Sequence, residues 1–392
     1  MKTLAAFSIL LLAVSVSAIP LMAQAPDASR LYVHSTVSIV PTRGNPTTPT
    51  GIVPVQYKAA YGFNRLPNQG QGQTIGVVVA YDAPNIQSDL AAYASYFHLA
   101  PCNLQKVMVG NPAQRDGLDA SVGVEQACAL APQANIVLVE ANTDSLSDML
   151  QAIAVASSSP YNATVVSIAY ALEEFAGERQ FDSYFCGVHN GNGQAVTFLA
   201  PTSSCSGRTG VYPAASPCVL AVGGTSLGLS TPLPLPNPLS SDYGFESVWN
   251  GSVVSPYEPQ PAWQSQACSP YSTTNRCTPD ITADADLNTG VAIYDTSYGG
   301  WIEVGGDGVS TSDWAAFFTL VNSVRAGQGN GPLSQPAADL YAIYNSSDYA
   351  NDFHDIRSGG NGCLAEPGYD LGSGIGSYQA NNLYSTLAAE PN

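Results

Sequence analysis

The sequence predicts an α/β fold with a doubly wound, mostly parallel sheet and helices on both faces. Short continuous apolar runs, typical of strands that are buried on both faces, recur along the chain. Amphipathic helical patterns separate these runs, and this alternation is typical of a parallel sheet covered by helices. The chain has 392 residues, which is enough for one large hydrophobic core.

The predicted elements follow one another from residue 74 onward. Strand patterns lie at 74–81, 106–109, 135–140, 164–170, 195–199, 219–222 and 301–304. Helix patterns lie at 86–97, 118–130, 145–156, 181–188 and 314–324, and the last is expected to be the buried central helix. Residues 227–264 are rich in Pro, Ser and Gly and are expected to form long surface loops. A single domain is expected over 51–392.

The N-terminal region predicts export. Residues 1–25 have the basic start, apolar middle and small-residue end of a signal peptide, with cleavage expected near 18 or 25. The apolar run is too short to span a membrane. Residues 26–50 are rich in Pro, Thr and Ser and are expected to form a linker. The mature protein is therefore expected to be secreted, and a monomer is the expected oligomeric state.

The charge balance excludes one large class of partners. Asp and Glu total 30 and Lys and Arg total 12, which gives a net charge of −18. Binding to DNA or RNA backbones requires a basic face, so nucleic acid is not an expected partner. A carboxylate-rich surface also suits acidic surroundings, because its self-repulsion weakens as pH falls. Ordinary solubility of a secreted protein explains the same composition.

The eight cysteines predict disulfide bonds, because their number is even and the chain carries an export signal. No pair has the Cys-x-x-Cys spacing that is typical of zinc sites. Cys268 and Cys277 flank a short Ser/Tyr/Thr loop and are the best candidates for a local bridge. The sequence leaves the other pairings open.

A glycine-rich turn follows the strand pattern at 301–304. Gly305, Gly306 and Gly308 permit a sharp turn. Residues 311–313 are expected to cap a helix that starts at Trp314. A strand, a tight turn and a buried helix together form the geometry that presents a nucleophile at a helix N-terminus. Here Gly308 occupies the tip of the turn, so the scaffold is present without a nucleophile.

Six segments together resemble the sedolisin family of serine-carboxyl peptidases. They are 73–82 (QTIGVVVAYD), 131–141 (APQANIVLVEA), 212–217 (YPAASP), 221–227 (AVGGTSL), 279–286 (PDITADAD) and 368–371 (GYDL). The resemblance covers roughly residues 55–384 and implies a subtilisin-like fold. It also implies acid endopeptidase ancestry, in which a Glu and an Asp four residues apart activate a serine and a further Asp stabilises the oxyanion.

The active-site positions implied by this resemblance hold different residues. The Glu and Asp positions fall on Asp119 and Gly123, and the nucleophile position falls on Gly308. The oxyanion Asp falls on Ser204, or on Ser203 if the loop is aligned differently. The substrate-cleft segment Ser-Trp-Gly becomes Ala-Tyr-Ala at 169–171. Only Asp119 keeps a carboxyl group.

Two functions compete on this basis. One is a non-catalytic pseudopeptidase that keeps the fold and a cleft for a peptide or protein ligand. The other is an active acid endopeptidase that works through displaced residues such as Asp119 and Ser310. Ser310 and Ser312 lie where helix capping is the commoner role. A Ser-His-Asp arrangement is disfavoured, because no histidine occupies the base position implied by the resemblance.

The resemblance also implies one calcium ion near the C-terminus. Two aspartate side chains and three backbone carbonyls hold the ion in this family, and their positions fall on Asp355, Ile356, Glu366, Gly368 and Asp370. Carboxylate and carbonyl oxygens are the ligands that calcium prefers. A simple pair of turn-forming aspartates is the alternative interpretation.

Overall fold

The computed structural model of the chain describes residues 26–40, 47–202, 210–230, 242–360 and 362–391. Its strands, in chain order, are β1 (His34–Ser35), β2 (Ser38–Ile39), β3 (Thr74–Ala80), β4 (Asn103–Met108), β5 (Asn135–Ala141), β6 (Val165–Ile168), β7 (Tyr170–Glu173), β8 (Thr197–Pro201), β9 (Val211–Tyr212), β10 (Leu220–Leu229), β11 (Tyr243–Asn250), β12 (Val254–Pro259), β13 (Asn275–Cys277), β14 (Ile281–Asp284), β15 (Val291–Asp295), β16 (Gly300–Gly305), β17 (Phe353–His354) and β18 (Ser377–Tyr378). Its α-helices are α1 (Pro54–Tyr61), α2 (Ile86–Tyr96), α3 (Leu118–Leu130), α4 (Leu146–Ser157), α5 (Ser265–Cys268), α6 (Asp307–Gly327), α7 (Pro336–Tyr344), α8 (Tyr349–Asp352) and α9 (Ala380–Ala389).

The largest sheet has the strand order β11-β10-β8-β6-β3-β5-β4, and β14 also pairs with β10. Every pair in this sheet is parallel except β10 with β11. The central strands β3, β5 and β6 are almost wholly buried, which explains why their sequences are continuously apolar. The mostly parallel α/β fold predicted from the sequence is therefore confirmed.

Helices cover both faces of this sheet. Consecutive residues of a strand point to opposite faces, and two neighbours in β3 pack against different helices. A Cβ atom on Gly76 would lie 3.1 Å from the side chain of Ala156 in α4. The side chain of Val77 instead packs against Gly123 of α3. Helix α6 packs beside α3 and against β6, β8 and β10.

The central helix begins earlier than the sequence predicts. Helix α6 starts at Asp307 with Gly306 as its N-cap residue, so residues 311–313 lie inside the helix and do not cap it. Trp314 is fully buried, and its indole Nε1 donates to the carbonyl oxygen of Thr282 at 2.9 Å. The loop prediction for 227–264 is also wrong in part, because β11 and β12 lie in this range. Antiparallel pairing with β10 stabilises β11 despite its glycine and polar residues.

Part of the predicted linker packs against the domain. Strand β1 pairs antiparallel with β7, and β2 pairs antiparallel with β16. Val33 and Val37 are buried, whereas His34 and Ser38 are exposed. The structure departs from the linker prediction over 34–39, because the segment pairs with two strands and buries the side chain of Val37. We call residues 34–39 the cleft segment.

Disulfide bonds join Cys102 to Cys128, Cys186 to Cys218 and Cys268 to Cys277. The last pair confirms the local bridge expected from the sequence. Cys363 is also disulfide-bonded. Within the described residues, no helix is both long and apolar enough to cross a bilayer. The region assigned to a signal peptide, 1–25, lies outside the described residues.

Candidate functional site

The start of α6 faces the cleft segment across a very short distance. Gly306 has a φ of 116°, which favours glycine, and a Cβ atom there would collide with the carbonyl oxygen of Thr36. A Cβ atom on Gly308 would lie 2.7 Å from Cγ1 of Val37 and 3.0 Å from Oγ1 of Thr36. The space into which a nucleophilic side chain at 308 would project is therefore filled by the cleft segment.

Asp119 lies in the first turn of α3 and points toward the same segment. Its Oδ1 accepts a hydrogen bond from Oγ of Ser35 at 2.6 Å. Its Oδ2 accepts one from the hydroxyl of Tyr170 at 2.8 Å. Burial raises the pKa of Asp119 to about 6, and the two hydroxyl donors offset part of this rise. The carboxyl group thus has two fixed partners, and one of them belongs to the cleft segment.

Gly123 lies one helical turn beyond Asp119 and packs directly on the sheet. A Cβ atom at this position would collide with Cγ1 of Val77. Close packing of α3 on β3 explains the glycine in physical terms, and it leaves no room for a carboxylate without a rearrangement of Val77. Asp119 therefore has no carboxyl partner at the i+4 position.

The hydroxyl groups of α6 are engaged within the core. Oγ of Ser310 donates to the carbonyl oxygens of Gly223 and Asp307 at 2.8 and 2.9 Å. Oγ of Ser312 donates to the carbonyl oxygen of Gly308 at 2.9 Å. The hydrogen bonds of Asp119 lead instead to Ser35 and Tyr170, so the structure does not bring Asp119 and Ser310 together. Ser203 and Ser204 lie outside the described residues.

Asp307 is a buried polar residue of the site that sequence reasoning did not single out. Its Oδ2 accepts hydrogen bonds from Asn250 at 3.1 Å and from Thr202 at 3.3 Å. Burial raises its pKa well above the usual range. The residue stands directly before Gly308, and the carboxyl group in this otherwise glycine-rich turn was the available signal.

A cavity of about 370 Å³ lies beside the cleft segment. Asp119 and Tyr170 line one part of it, and Arg115, Asp116 and Tyr81 line another. The guanidinium carbon of Arg115 lies 4.5 Å from the centre of the Tyr81 ring. This arrangement can hold a polypeptide segment by strand pairing and by hydroxyl–carboxylate contacts.

The residues assigned to calcium meet at one turn near the C-terminus. Oδ1 of Asp355 accepts from the backbone N–H of Gly368 at 3.0 Å, and Oδ2 of Asp370 accepts from that of Glu366 at 2.8 Å. The other Asp355 oxygen, Oδ2, pairs with Arg357 at 2.6 Å, and the Arg357 side chain is 67% exposed. The described residues contain no group of three His, Cys, Asp or Glu side chains arranged for a metal. The Asp355 and Asp370 carboxylates, which both contact the 366–370 turn, nevertheless fit a site that relies on carbonyl oxygens for its other ligands.

Three curated proteins are similar to the chain over most of its length. Sedolisin from Pseudomonas sp. (strain 101) is 26% identical over 367 residues, which cover 83% of this chain and 58% of that protein. Kumamolisin from Bacillus sp. (strain MN-32) is 29% identical over 378 residues, covering 86% and 63%. Xanthomonalisin from Xanthomonas sp. (strain T-22) is 25% identical over 398 residues, covering 84% and 45%. The chain thus spans about half to two thirds of the length of these relatives.

The solved structure of Pseudomonas sedolisin in complex with two molecules of pseudo-iodotyrostatin has the same fold. It superposes with a TM-score of 0.74 at 23% sequence identity, and the match covers 88% of this chain and 100% of that one. A lanthipeptide protease matches with a TM-score of 0.54 at 12% identity over 85% of this chain. No protein-family model matches the sequence. The three relatives, together with the shared fold, support the assignment of the chain to the sedolisin family of serine-carboxyl peptidases.

Proposed function

We propose that this chain is a non-catalytic sedolisin-family protein, a pseudopeptidase that keeps the cleft for a peptide or protein ligand. The observation that carries this proposal is the start of α6. Gly308 offers no nucleophile, and Thr36 and Val37 fill the space that a nucleophile would need. Removal of a triad-type nucleophile costs several orders of magnitude in rate.

The carboxyl groups support the same conclusion. A serine-carboxyl mechanism needs a carboxylate that removes the proton of the nucleophile. Asp119 is placed against Ser35 and Tyr170, and the position one turn later is Gly123. Ser310, the displaced nucleophile of the alternative function, is fully buried and donates to backbone carbonyls. Neither residue is positioned for acyl transfer.

A cluster of buried acidic side chains supports an acidic working environment. Glu178 and Glu258 are both fully buried, and burial raises their pKa to about 9 and about 7. A group whose pKa is raised on folding stabilises the protein fully below its unfolded value. This contribution is lost as pH rises through the folded value. The cluster therefore favours the folded state at acid pH, where an assay for sedolisin-type activity belongs.

The deciding experiment is cleavage of a denatured protein substrate between pH 3 and 5. We expect no turnover above background from the purified chain. Matched Ser310→Ala and Asp119→Asn variants control for the displaced-residue alternative. Turnover that both substitutions abolish would establish an active acid endopeptidase, whereas turnover that neither substitution changes would identify a contaminating peptidase.

We further propose that Asp355, Ile356, Glu366, Gly368 and Asp370 bind one calcium ion. The two carboxylates would supply charge, and the other three residues would supply carbonyl oxygens.

We also propose that the protein is exported, because several disulfide bonds in one chain are typical of proteins in oxidising compartments. Titration of the denatured, unreduced protein should find few free thiols.

A further inference from the structure

The cleft segment is held along its length by backbone pairing. Before it, the N–H of Leu146 donates to the carbonyl oxygen of Leu31 at 2.7 Å, and that of Val33 donates to Asp144 at 2.9 Å. Strands β1 and β2 then pair with β7 and β16. After it, the N–H of Val40 donates to the carbonyl oxygen of Glu303 at 3.0 Å. The segment is thus an added strand that crosses the cleft from one wall to the other.

The register of this added strand is the informative feature. His34 lies opposite Ala171 and Ser35 lies opposite Tyr170, so Thr36 comes next to Ala169. Oγ1 of Thr36 donates to the carbonyl oxygen of Ala169 at 2.9 Å. The side chains of Thr36 and Val37 lie at the position of the missing nucleophile beside Gly308. The peptide unit between them lies against the preceding turn, because a Cβ atom on Gly306 would lie 2.9 Å from the carbonyl carbon of Thr36.

We infer that residues 34–39 are an internal peptide ligand, which occupies the cleft in the manner of an uncleaved substrate and excludes external peptides. This inference rests on the proposed function, because it assumes that the cleft binds peptides. The contacts define the peptide that the cleft accepts. It is an extended chain with a small hydroxyl residue facing Asp119, a second one facing Ala169, and a compact β-branched residue over Gly308.

Internal attachment gives the segment a large advantage over a free peptide. A short connection holds a segment at an effective concentration on the order of millimolar. An external peptide with the same contacts must displace it and therefore binds weakly. Any substitution that weakens the contacts of the internal segment without altering the cleft wall should allow an external peptide to bind in the same cleft.

Val37 offers such a change, because it is buried against Gly308 and belongs to the segment itself. Val37→Asp places a carboxylate in an apolar position, which is costly without a partner. Val55→Asp is a matched control, because Val55 is 41% exposed. The probe is a fluorescein-labelled synthetic peptide with the sequence of residues 31–40, and its binding to the full chain is measured by fluorescence polarisation.

We expect the peptide to bind Val37→Asp at least tenfold more tightly than the wild-type protein or Val55→Asp. Adding Gly308→Leu to Val37→Asp should abolish this binding, because the leucine fills the space that the peptide valine needs. Equal binding to the wild-type protein and Val37→Asp would overturn the inference while leaving a peptide-binding cleft in place. If neither the wild-type protein nor Val37→Asp binds the peptide, both this inference and the proposal of a peptide-binding cleft are overturned.

Hydrogen exchange of the wild-type protein tests the inference without any variant, in case Val37→Asp fails to fold. Amides of the segment that take part in this pairing should exchange slowly, because β1 is paired with β7 and β2 is paired with β16. Rapid exchange there, at the rate of an unpaired chain, would overturn the inference. Proteolytic activity in the separate cleavage assay would instead overturn only the claim that the cleft is non-catalytic.

Discussion

The cleft at the start of α6 and the C-terminal turn around Asp370 use their polar groups in opposite ways. In the cleft, two positions to which the family resemblance assigns catalytic residues are glycines, and a segment of the same chain fills the space beside one of them. At the C-terminal turn, the Asp370 carboxylate accepts hydrogen bonds from the backbone N–H groups of Glu366, Gly372 and Ser373. The cleft has glycines where the resemblance implies reactive side chains, whereas the Asp370 side chain at the C-terminal turn holds the backbone in place.

This difference shows which losses a fold tolerates. Replacement of a reactive side chain by glycine removes a reaction, but the fold persists when neighbouring groups fill the space. Removal of a buried carboxylate that satisfies several N–H groups leaves those donors without partners, and each one costs roughly 1–3 kcal/mol. We therefore expect the C-terminal turn and the buried groups that support it to respond to substitution mainly through stability, and the cleft to respond mainly through binding and ionisation.

The largest expected effect is at a buried ion pair, Arg276 with Asp280, that lies next to the C-terminal turn in the fold. Arg276 donates two hydrogen bonds to Asp280, at 2.7 and 2.5 Å, and both side chains are fully buried. The backbone carbonyl of Asp280 also accepts the N–H of Ile375. Arg276→Met should lower the free energy of unfolding by about 3–5 kcal/mol, because it leaves the buried Asp280 carboxylate without its charged partner. Urea denaturation at pH 7 measures this loss.

An exposed ion pair serves as the control for this experiment. Nε of Arg30 lies 3.3 Å from Asp27, and the two side chains are 85% and 58% exposed. Arg30→Met should leave the unfolding free energy unchanged within error, because water screens such pairs. Equal losses of unfolding free energy in Arg276→Met and Arg30→Met would refute the expectation that the buried ion pair stabilises the protein more than the exposed one.

The second expected effect concerns calcium and is smaller. Chelation should lower the melting temperature, because an ion bound only to the folded state stabilises it by about 2.7 kcal/mol at one hundred times its dissociation constant. Asp355→Asn should abolish the response to chelator. Asp348→Asn, which alters an exposed aspartate of the same region, should retain it. An unchanged melting temperature, together with no metal in elemental analysis, would remove the calcium proposal.

The comparison also shows which features the sequence could predict. Continuous apolar strands and the helix at 118–130 follow directly from local pattern, and α3 has these bounds in the structure. The absence of a nucleophile at 308 is readable from the turn chemistry and the resemblance. What fills the space could not be predicted, because Val37 lies 271 positions before Gly308 and only the tertiary fold brings them together. The apolar residues Val33, Val37 and Ile39, which share one face of an extended chain, were a signal, but the surrounding Pro and Thr residues favoured a linker.

The smallest expected effect lies in the cleft and concerns the ionisation of Asp119. Its pKa of about 6 is above the unfolded value of 3.8, so its contribution to stability is complete below pH 3.8 and is lost as pH rises through 6. The Ser35 hydroxyl favours the ionised form and limits this loss. Ser35→Ala should therefore raise the pKa of Asp119 further, and NMR titration of the carboxyl carbon measures the shift.

The same substitution should lower the unfolding free energy by about 1 kcal/mol at pH 7 and by less at pH 3, because a hydrogen bond to a charged group is the stronger one. Ser29→Ala is the matched control, since Ser29 donates at 2.7 Å to Asp27 on the surface. It should leave stability unchanged at both pH values. An unchanged Asp119 pKa in Ser35→Ala would mean that the cleft segment does not contact this carboxylate in solution. The cleft would then be open, and the contrast between the two regions would reduce to the missing side chains alone.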